Sequence, residues 1–368
     1  MRPSDREPVG ESKRIWKAVP FQDADLPAIG LFFKRHFPDP GLYGTMGLFQ
    51  WRAVDHYITR GIINLVKDEG RIVSILSNTP KHLLIGGQQH LVAEIGDAYT
   101  DPDYQRQGMQ TLLTVQSIQD ALDRGIRGVY STPDHQTPSL SAFVNKTNFL
   151  PLEGPDVKSL VLPLNIGPLL RQRGHWLAAQ YAGALHQTLA FIYFQIMKGL
   201  HSASRLEFVE LKSLPENWDR FWEQSRQPYD AIFSRSREAL TWRFFRNPNR
   251  YTFYAAMDQG ELAGYAVHRV SEDTGTRMLI LADFLFLPGR EAHLTALLLK
   301  VLEDALKAGA SHIYTWCSSG SPYYGSLKRY GFLKRNDILL IWFQNEFAAL
   351  LREKAARWHF TISDSDNV

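Results

Sequence analysis

The sequence holds a single cysteine in 368 residues, Cys317, so neither an intramolecular disulfide framework nor a cysteine-based zinc cluster can organise it. The first thirty residues lack the apolar core and cleavage site of an export signal, which points to a cytoplasm of bacterial type. Charge of one sign is also scarce. The formal net charge of +3 arises from Lys and Arg interleaved with acids rather than gathered in a stripe, so no nucleic-acid partner is expected. Residues 175–197 lack Asp, Glu, Lys and Arg altogether. Gln180, His186, Gln187 and Gln195 would nevertheless each be costly in hydrocarbon, which argues against a membrane span. Three readings of this segment stay open: a helix packed between domains, a dimer contact, or an interfacial helix. The last would make peripheral contact with the inner face of the membrane through Trp176, Phe191, Tyr193 and Phe194.

Apolar material is plentiful, at 44% hydrophobic and 12% aromatic residues. A chain of this length exceeds what one hydrophobic core usually organises, which favours two domains. Residues 1–12 and the terminal run Ser363-Asp364-Ser365-Asp366-Asn367 read as poorly ordered and outside the fold.

The chain repeats itself at an offset of about 190 residues. Phe49-Gln50-Trp51-Arg52 and Leu240-Thr241-Trp242-Arg243 each precede a strand-like run and then a glycine, Gly70 or Gly260, at spacings of 19 and 18. Asp97 stands five residues before Pro102 and Asp283 five before Pro288, each closing an apolar strand. A helix-period run follows in both copies, Met109/Leu112/Leu113/Ile118/Leu122 and Leu294/Leu297/Leu298/Val301/Leu302, ended by Gly125 and Gly309 as expected C-caps. Then come a strand, a short helix ending at Asn148-Phe149 or Gly331-Phe332, and another strand. This order predicts α/β domains with mixed, mostly antiparallel sheets flanked by helices: 14–165 and 204–345, joined by a helical linker at 166–203 and followed by a C-terminal helix and tail at 346–368.

The chemistry-bearing segment runs from Asp97 to Met109, out of a strand, through Asp101-Pro102-Asp103-Tyr104 and Gln105-Arg106-Gln107-Gly108, into a helix. Successive backbone N–H groups at a helix start form a concave donor site for a pyrophosphate, and a glycine lets it approach without a Cβ in the way. Gln105 and Gly108 in this setting resemble the CoA-pyrophosphate loop of GNAT N-acyltransferases. Gln110 stands where that family has Gly or Ala, and Asn148 where it usually has Gly, although Asn tolerates a left-handed turn. The resemblance covers roughly 14–165 and 204–345 and implies two tandem GNAT folds. It also implies acetyl-CoA or another acyl-CoA as cosubstrate, held by Thr100, Gln105, Arg106, Gln107, Gly108 and Met109. In the second copy Leu294 aligns with Gly108, so that copy is expected to bind no CoA.

The resemblance further implies an oxyanion site at the backbone N–H groups around Ala98 to Thr100 and a carboxylate base on the same strand. Asp97 is the first candidate and Glu94 the second. Three residues apart on a strand, they are expected on opposite faces. The alternative for Asp97 is a structural hydrogen bond shared with Asp283. The family's tyrosine acid is replaced by Val144, or Leu327 in the second copy. Tyr99 and Tyr104 are candidate substitutes, with aromatic packing as the alternative role of each, and Asp134 or His135 is placed at the cleft mouth to touch cofactor or acceptor, with a solvated loop as the favoured alternative. The function implied is acyl transfer to a primary amine of a small molecule, an amino sugar first among acceptors. The other readings are a carrier-protein or aminoacyl-tRNA donor, and a non-catalytic CoA-binding protein.

Overall fold

The computed structural model describes residues 14–37, 46–134, 138–152, 156–200, 206–273, 275–290 and 293–366. The expectations for residues 1–12 and for His135 fall outside them.

The first half runs β1 (Val19–Pro20), α1 (Leu26–His36), α2 (Met46–Phe49), β2 (Ile62–Asp68), β3 (Arg71–Ile85), β4 (Gln88–Thr100), α3 (Met109–Asp123), β5 (Gly128–Ser131), α4 (Pro138–Lys146), β6 (Phe149–Pro151) and β7 (Val157–Pro163). Next come α5 (Gly167–Gln172) and α6 (Trp176–Leu200). The second half runs β8 (Leu206–Glu210), α7 (Trp218–Ser225), β9 (Ala231–Phe233), α8 (Arg237–Leu240), β10 (Thr252–Asp258), β11 (Glu261–Asp273), β12 (Thr276–Phe286), α9 (Leu294–Lys307), β13 (His312–Ser318), α10 (Pro322–Arg329), β14 (Leu333–Ile338) and β15 (Ile341–Phe343). The chain then finishes with α11 (Glu346–Lys354) and β16 (Trp358–His359).

The repeat is carried by local backbone geometry. Glu69-Gly70 and Gln259-Gly260 turn the first hairpin of each half with φ of 49° and 82°, and 53° and 82°. Two consecutive left-handed residues match the twist of antiparallel strands. The paired Trp-Arg segments each form one π-helical turn, closed by Asp55 N–H on Gln50 O at 2.8 Å and by Arg246 N–H on Thr241 O at 3.0 Å. Their tryptophans stack on each other, with Trp51 and Trp242 rings 4.2 Å apart and 13° from parallel.

Each half builds a mixed sheet in which parallel pairing is the exception, as expected. One sheet is ordered β1-β2-β3-β4-β5-β15-β6, with β9 on the far end of β3 and β16 on β9. The other is ordered β14-β7-β13-β12-β11-β10-β8. The halves exchange strands: β15 inserts between β5 and β6, while β7 inserts between β13 and β14. A cut near residue 165 or 345 therefore does not separate the sheets. Helix α3 buries Met109, Leu113 and Ile118 on one face of the first sheet, and α1 packs Ile29, Phe32 and Phe33 on the other. With both faces covered, β2 and β3 are buried almost throughout instead of alternating.

Of the C-terminal run expected to lie outside the fold, Ser363, Asp364 and Ser365 are instead buried, and Asn367 falls outside the described residues. Thr361 and Ser365 are fully buried, and Ser363 and Asp364 retain only 3% exposure. The composition is polar because the segment fills a polar gap between the sheets: Asp364 pairs with buried Arg235 at 2.7 Å. Helix α6 is only partly a packed helix. It buries Ala179, Gly183 and Phe194 and exposes most of its other apolar residues. Its close approach to α5 is set by glycines, since a Cβ on Gly183 would lie 2.9 Å from the Gly167 Cα.

Candidate functional site

The parallel pairing of β4 with β5 runs from Val92↔Gly128 to Glu94↔Tyr130 and then stops. Beyond it the strands diverge. A bulge at Asp97, whose φ of 49° is left-handed, shifts the β3–β4 register between Ile75 and Ser77. A cavity of about 280 Å³ occupies the wedge and is lined by Glu94 to Tyr99 of β4 and by Ser131 to Asp134 after β5.

The expectation that Glu94 and Asp97 face opposite sides is overturned: both line this cavity. Strict alternation fails because the bulge adds a residue and because the cavity wraps the freed edge of β4 rather than one face. Asp97 Oδ1 accepts from Arg52 Nη2 at 2.5 Å and Oδ2 from Ser77 Oγ at 2.6 Å. Asp283 in the second half likewise receives a guanidinium, Arg235 at 3.1 Å, and a hydroxyl, Tyr265 at 2.6 Å. The structural role considered for the pair is thus present in both halves, but only Asp97 also borders a cavity of this kind among the described residues.

Glu94 is buried and heavily coordinated. Its Oε1 accepts from Thr132 Oγ1 at 2.7 Å and Ser365 Oγ at 3.0 Å. Its Oε2 accepts from Lys81 Nζ and from the Asp366 N–H at 2.8 Å. Burial pushes the Glu94 carboxyl above its usual range, with Lys81 pulling against it and Asp366 adding to the rise. Asp366 of the tail accepts from Lys81 at 2.9 Å and from Thr79 Oγ1. Burial would raise it, but Lys81 and Arg52 hold it down at about 2. Three carboxylates and two cations thus share the floor of the wedge. Sequence reasoning missed Lys81, Asp366 and the role of Arg52. The available signal was the polar run Ser77-Asn78-Thr79-Pro80-Lys81-His82 inside an otherwise apolar strand, which demands buried partners.

A second cavity, of about 540 Å³, opens at the start of α3 and shares Phe37, Ala98 and Tyr99 with the first. Gly108 caps α3 in the left-handed region at φ 84° with open space where a Cβ would be, and Arg106 is also left-handed at φ 62°. The first intrahelical bond is Leu112 N–H to Gly108 O at 3.0 Å, so the N–H groups of Met109, Gln110 and Thr111 precede it. Arg106 and Lys146 bring positive charge to the same wall. These donors suit a diphosphate.

Of the residues expected there, Thr100, Gln105, Arg106, Gly108 and Met109 line this cavity. Gln107 turns away, its Oε1 accepting from Trp16 Nε1 at 3.0 Å. The Thr100 hydroxyl is taken up by Ser74 at 2.7 Å and Gln110 at 3.0 Å, leaving its backbone at the wall. Gln110, the departure from the family pattern, folds back onto β3 and β4 and leaves the helix start open. Tyr99 packs among Phe32, His36 and Phe37 at the junction of the two cavities. Burial, with Asp101 nearby, raises its phenol. Tyr104 donates to Asp68 at 2.7 Å, a structural bond. Asp134 is among the residues that line the wedge.

Residues 19–142 match the model of the acetyltransferase (GNAT) domain. No curated protein matches the sequence significantly. Among solved structures, the chain is similar to a GCN5-related N-acetyltransferase from Anabaena variabilis, with 12% identity over 91% of this chain and 74% of that one and a TM-score of 0.60. It is similar to Saccharomyces cerevisiae N-myristoyltransferase with bound myristoyl-CoA at 12% identity, 92% and 81% coverage and a TM-score of 0.58. A tandem GNAT protein from the clavulanic acid biosynthesis pathway gives 14% identity, 89% and 98% coverage and a TM-score of 0.57. Residues 19–142 carry a GNAT domain, and the chain shares the fold of the tandem GNAT protein.

Proposed function

We propose that the chain is an acyl-CoA-dependent N-acyltransferase acting on a primary amine of a small molecule, with its site in the first half. The observation that carries this reading is the meeting of the two cavities at Ala98 and Tyr99, one lined by phosphate-binding donors and the other by carboxylates. The helix start binds the CoA diphosphate, and the thioester supplies an activated acyl group. An ammonium is drawn to the carboxylate-rich wedge. Asp97 takes its proton, since each of its oxygens accepts one hydrogen bond and keeps a lone pair, whereas Glu94 is saturated by donors and sets the local field. Backbone N–H groups between Ala98 and Thr100 meet the charge developing on the carbonyl oxygen. The thiolate is protonated by Tyr99 or by solvent. An amino sugar is the first acceptor to test, because Phe33, Phe37 and Tyr99 offer flat apolar walls beside the acids.

A longer acyl group is the second reading, favoured by the apolar lining of the wedge at Phe33, Ile95 and Phe143. Calorimetric titration of acetyl-CoA and longer acyl-CoAs into the wild type and Gly108→Glu tests both. Micromolar binding abolished in the variant is expected, and the tightest chain length identifies the donor. A folded wild type that binds no acyl-CoA would overturn the proposal.

A further inference from the structure

The outward face of α6 is apolar along its length. Leu177, Tyr181, Leu185, Leu189, Ile192 and Ile196 are between 46% and 76% exposed, and they fall on the side opposite the buried Ala179, Gly183 and Phe194. No described helix is long and apolar enough to cross a membrane. The segment that carries this face is cationic. Residues 157–206 contain no Asp or Glu. Arg171 and Arg173 stand exposed before α6 and Lys198 near its end, and Lys307 of α9 borders a groove against Ala184 and Phe191. The acids of α9 on this side, Glu303 and Asp304, are engaged by Lys300 and Lys307. Trp176, 70% exposed at the first turn, adds an interfacial aromatic. Of the anchors considered from sequence, Phe194 points inward, and the Tyr193 hydroxyl is held by Tyr330 O at 3.2 Å.

We infer that α6 is a docking surface for an anionic lipid bilayer, lying flat with its apolar face among the acyl chains and its flanking cations at the headgroups. Cations at both ends and none on the apolar face fit a helix parallel to the surface. A second copy is a poorer occupant. Two-fold pairing of this face sets the ends of one α6 beside those of another, so cations meet cations, and the segment has no acid to pair with them. The inference stands independently of the acyl-transfer reading.

The test is co-sedimentation of the full chain with vesicles of phosphatidylcholine alone or mixed three to one with phosphatidylglycerol. Binding is expected to the anionic vesicles, at least about tenfold weaker to the neutral ones and weakened by salt. Leu185→Glu with Ile192→Glu should lower the partition by on the order of a hundredfold, and Arg171→Gln with Arg173→Gln by about fivefold for each charge. Circular dichroism checks the fold of these variants. Brominated lipid should quench tryptophan emission in the wild type, and less in Trp176→Phe, a readout that does not depend on the glutamate variants folding. Absence of binding to anionic vesicles, or equal binding by the folded Leu185→Glu/Ile192→Glu chain, overturns the inference. So does a dimer in light scattering that this double variant dissolves while vesicle binding is absent.

Discussion

Truncating the chain after Phe360 should cost most of its stability, although the segment removed is polar and terminal. The cut takes away Asp364, which meets the fully buried Arg235 at 2.7 Å, and Asp366, which meets the buried Lys81 at 2.9 Å. Arg235 keeps Asp283 and Lys81 keeps Glu94, so neither charge is stranded outright, but Arg235, Lys81, Thr79 and Tyr130 each lose a buried acceptor, at about 1–3 kcal/mol apiece. Four such losses amount to roughly 4–12 kcal/mol, against a total stability of about 5–15 kcal/mol for a natural domain. The truncated chain is therefore expected to be unfolded, or expanded and dye-binding, at 25 °C. Asp366→Asn is the milder perturbation. Holding that carboxyl at about 2 instead of 3.8 corresponds to on the order of 2 kcal/mol at neutral pH, present above the unfolded value and lost as pH falls from about 4 toward 2. Because Asp366 also helps to raise Glu94, the variant should lower the Glu94 carboxyl. Guanidinium titrations of the three proteins at pH 7 measure the costs. A truncated chain within 1 kcal/mol of the wild type would refute the assignment of the tail to the core.

Asp97→Asn should lower kcat by about 10²–10⁴-fold while acyl-CoA binding is retained, whereas Asp283→Asn should cost stability without altering turnover; equal kinetic effects of the two would remove Asp97 from the chemistry. Burial holds His56 and His359 neutral, each lowered from 6.5 to about 3. The unfolded chain takes up those protons first, so stability present above pH 6.5 falls as pH drops, by about 2 kcal/mol per histidine between pH 7 and 5. A flat stability profile over that range would refute it. Neither residues 1–203 nor residues 204–368 expressed alone should give a cooperative unfolding transition, since each lacks an inserted strand of its own sheet; mixing the fragments should restore one.

Sequence was a good guide wherever the chain determines its own geometry. Gly125 and Gly309 end their helices with φ of 76° and 66°, and Asn148 adopts the left-handed φ of 58° that its place in the pattern requires. The helix start at Gly108 was legible for the same reason. Strand exchange was not, because β7 and β15 are short apolar strands occupying equivalent places in the repeat. A local pattern specifies a strand and its buried faces but not which of two similar sheets receives it. The tail misled for a related reason: polarity distinguishes a solvated segment from a buried one only when its partners are known, and Arg235, Lys81 and Glu94 lie far away in sequence. The shared cavity of Glu94 and Asp97 depends on a bulge of one residue, which alternation arguments assume absent.

The duplicated architecture also accounts for the difference between the two wedges among the described residues. In the second sheet β12 leaves β13 after Ile280↔Tyr314, the same divergence that opens the wedge after Glu94↔Tyr130. There the gap is closed from within. Phe284, Phe286 and Tyr323 are buried in it, and His359 packs on Tyr323 with rings 5.7 Å apart. The Phe286 N–H, at the position equivalent to the cavity-lining Thr100, donates to the Tyr323 hydroxyl at 2.9 Å, so a side chain of the second half takes up this backbone donor. Leu294, aligned with Gly108, is fully buried in the same core. Restoring glycine at 294 would therefore open a cavity without creating a phosphate site, because the aromatic filling of the wedge would remain. The second half instead contributes strand β15, which borders β5, and the tail that closes the floor of the first wedge with Ser365 and Asp366. The wedge of the first half is thus complete only with residues from both repeats.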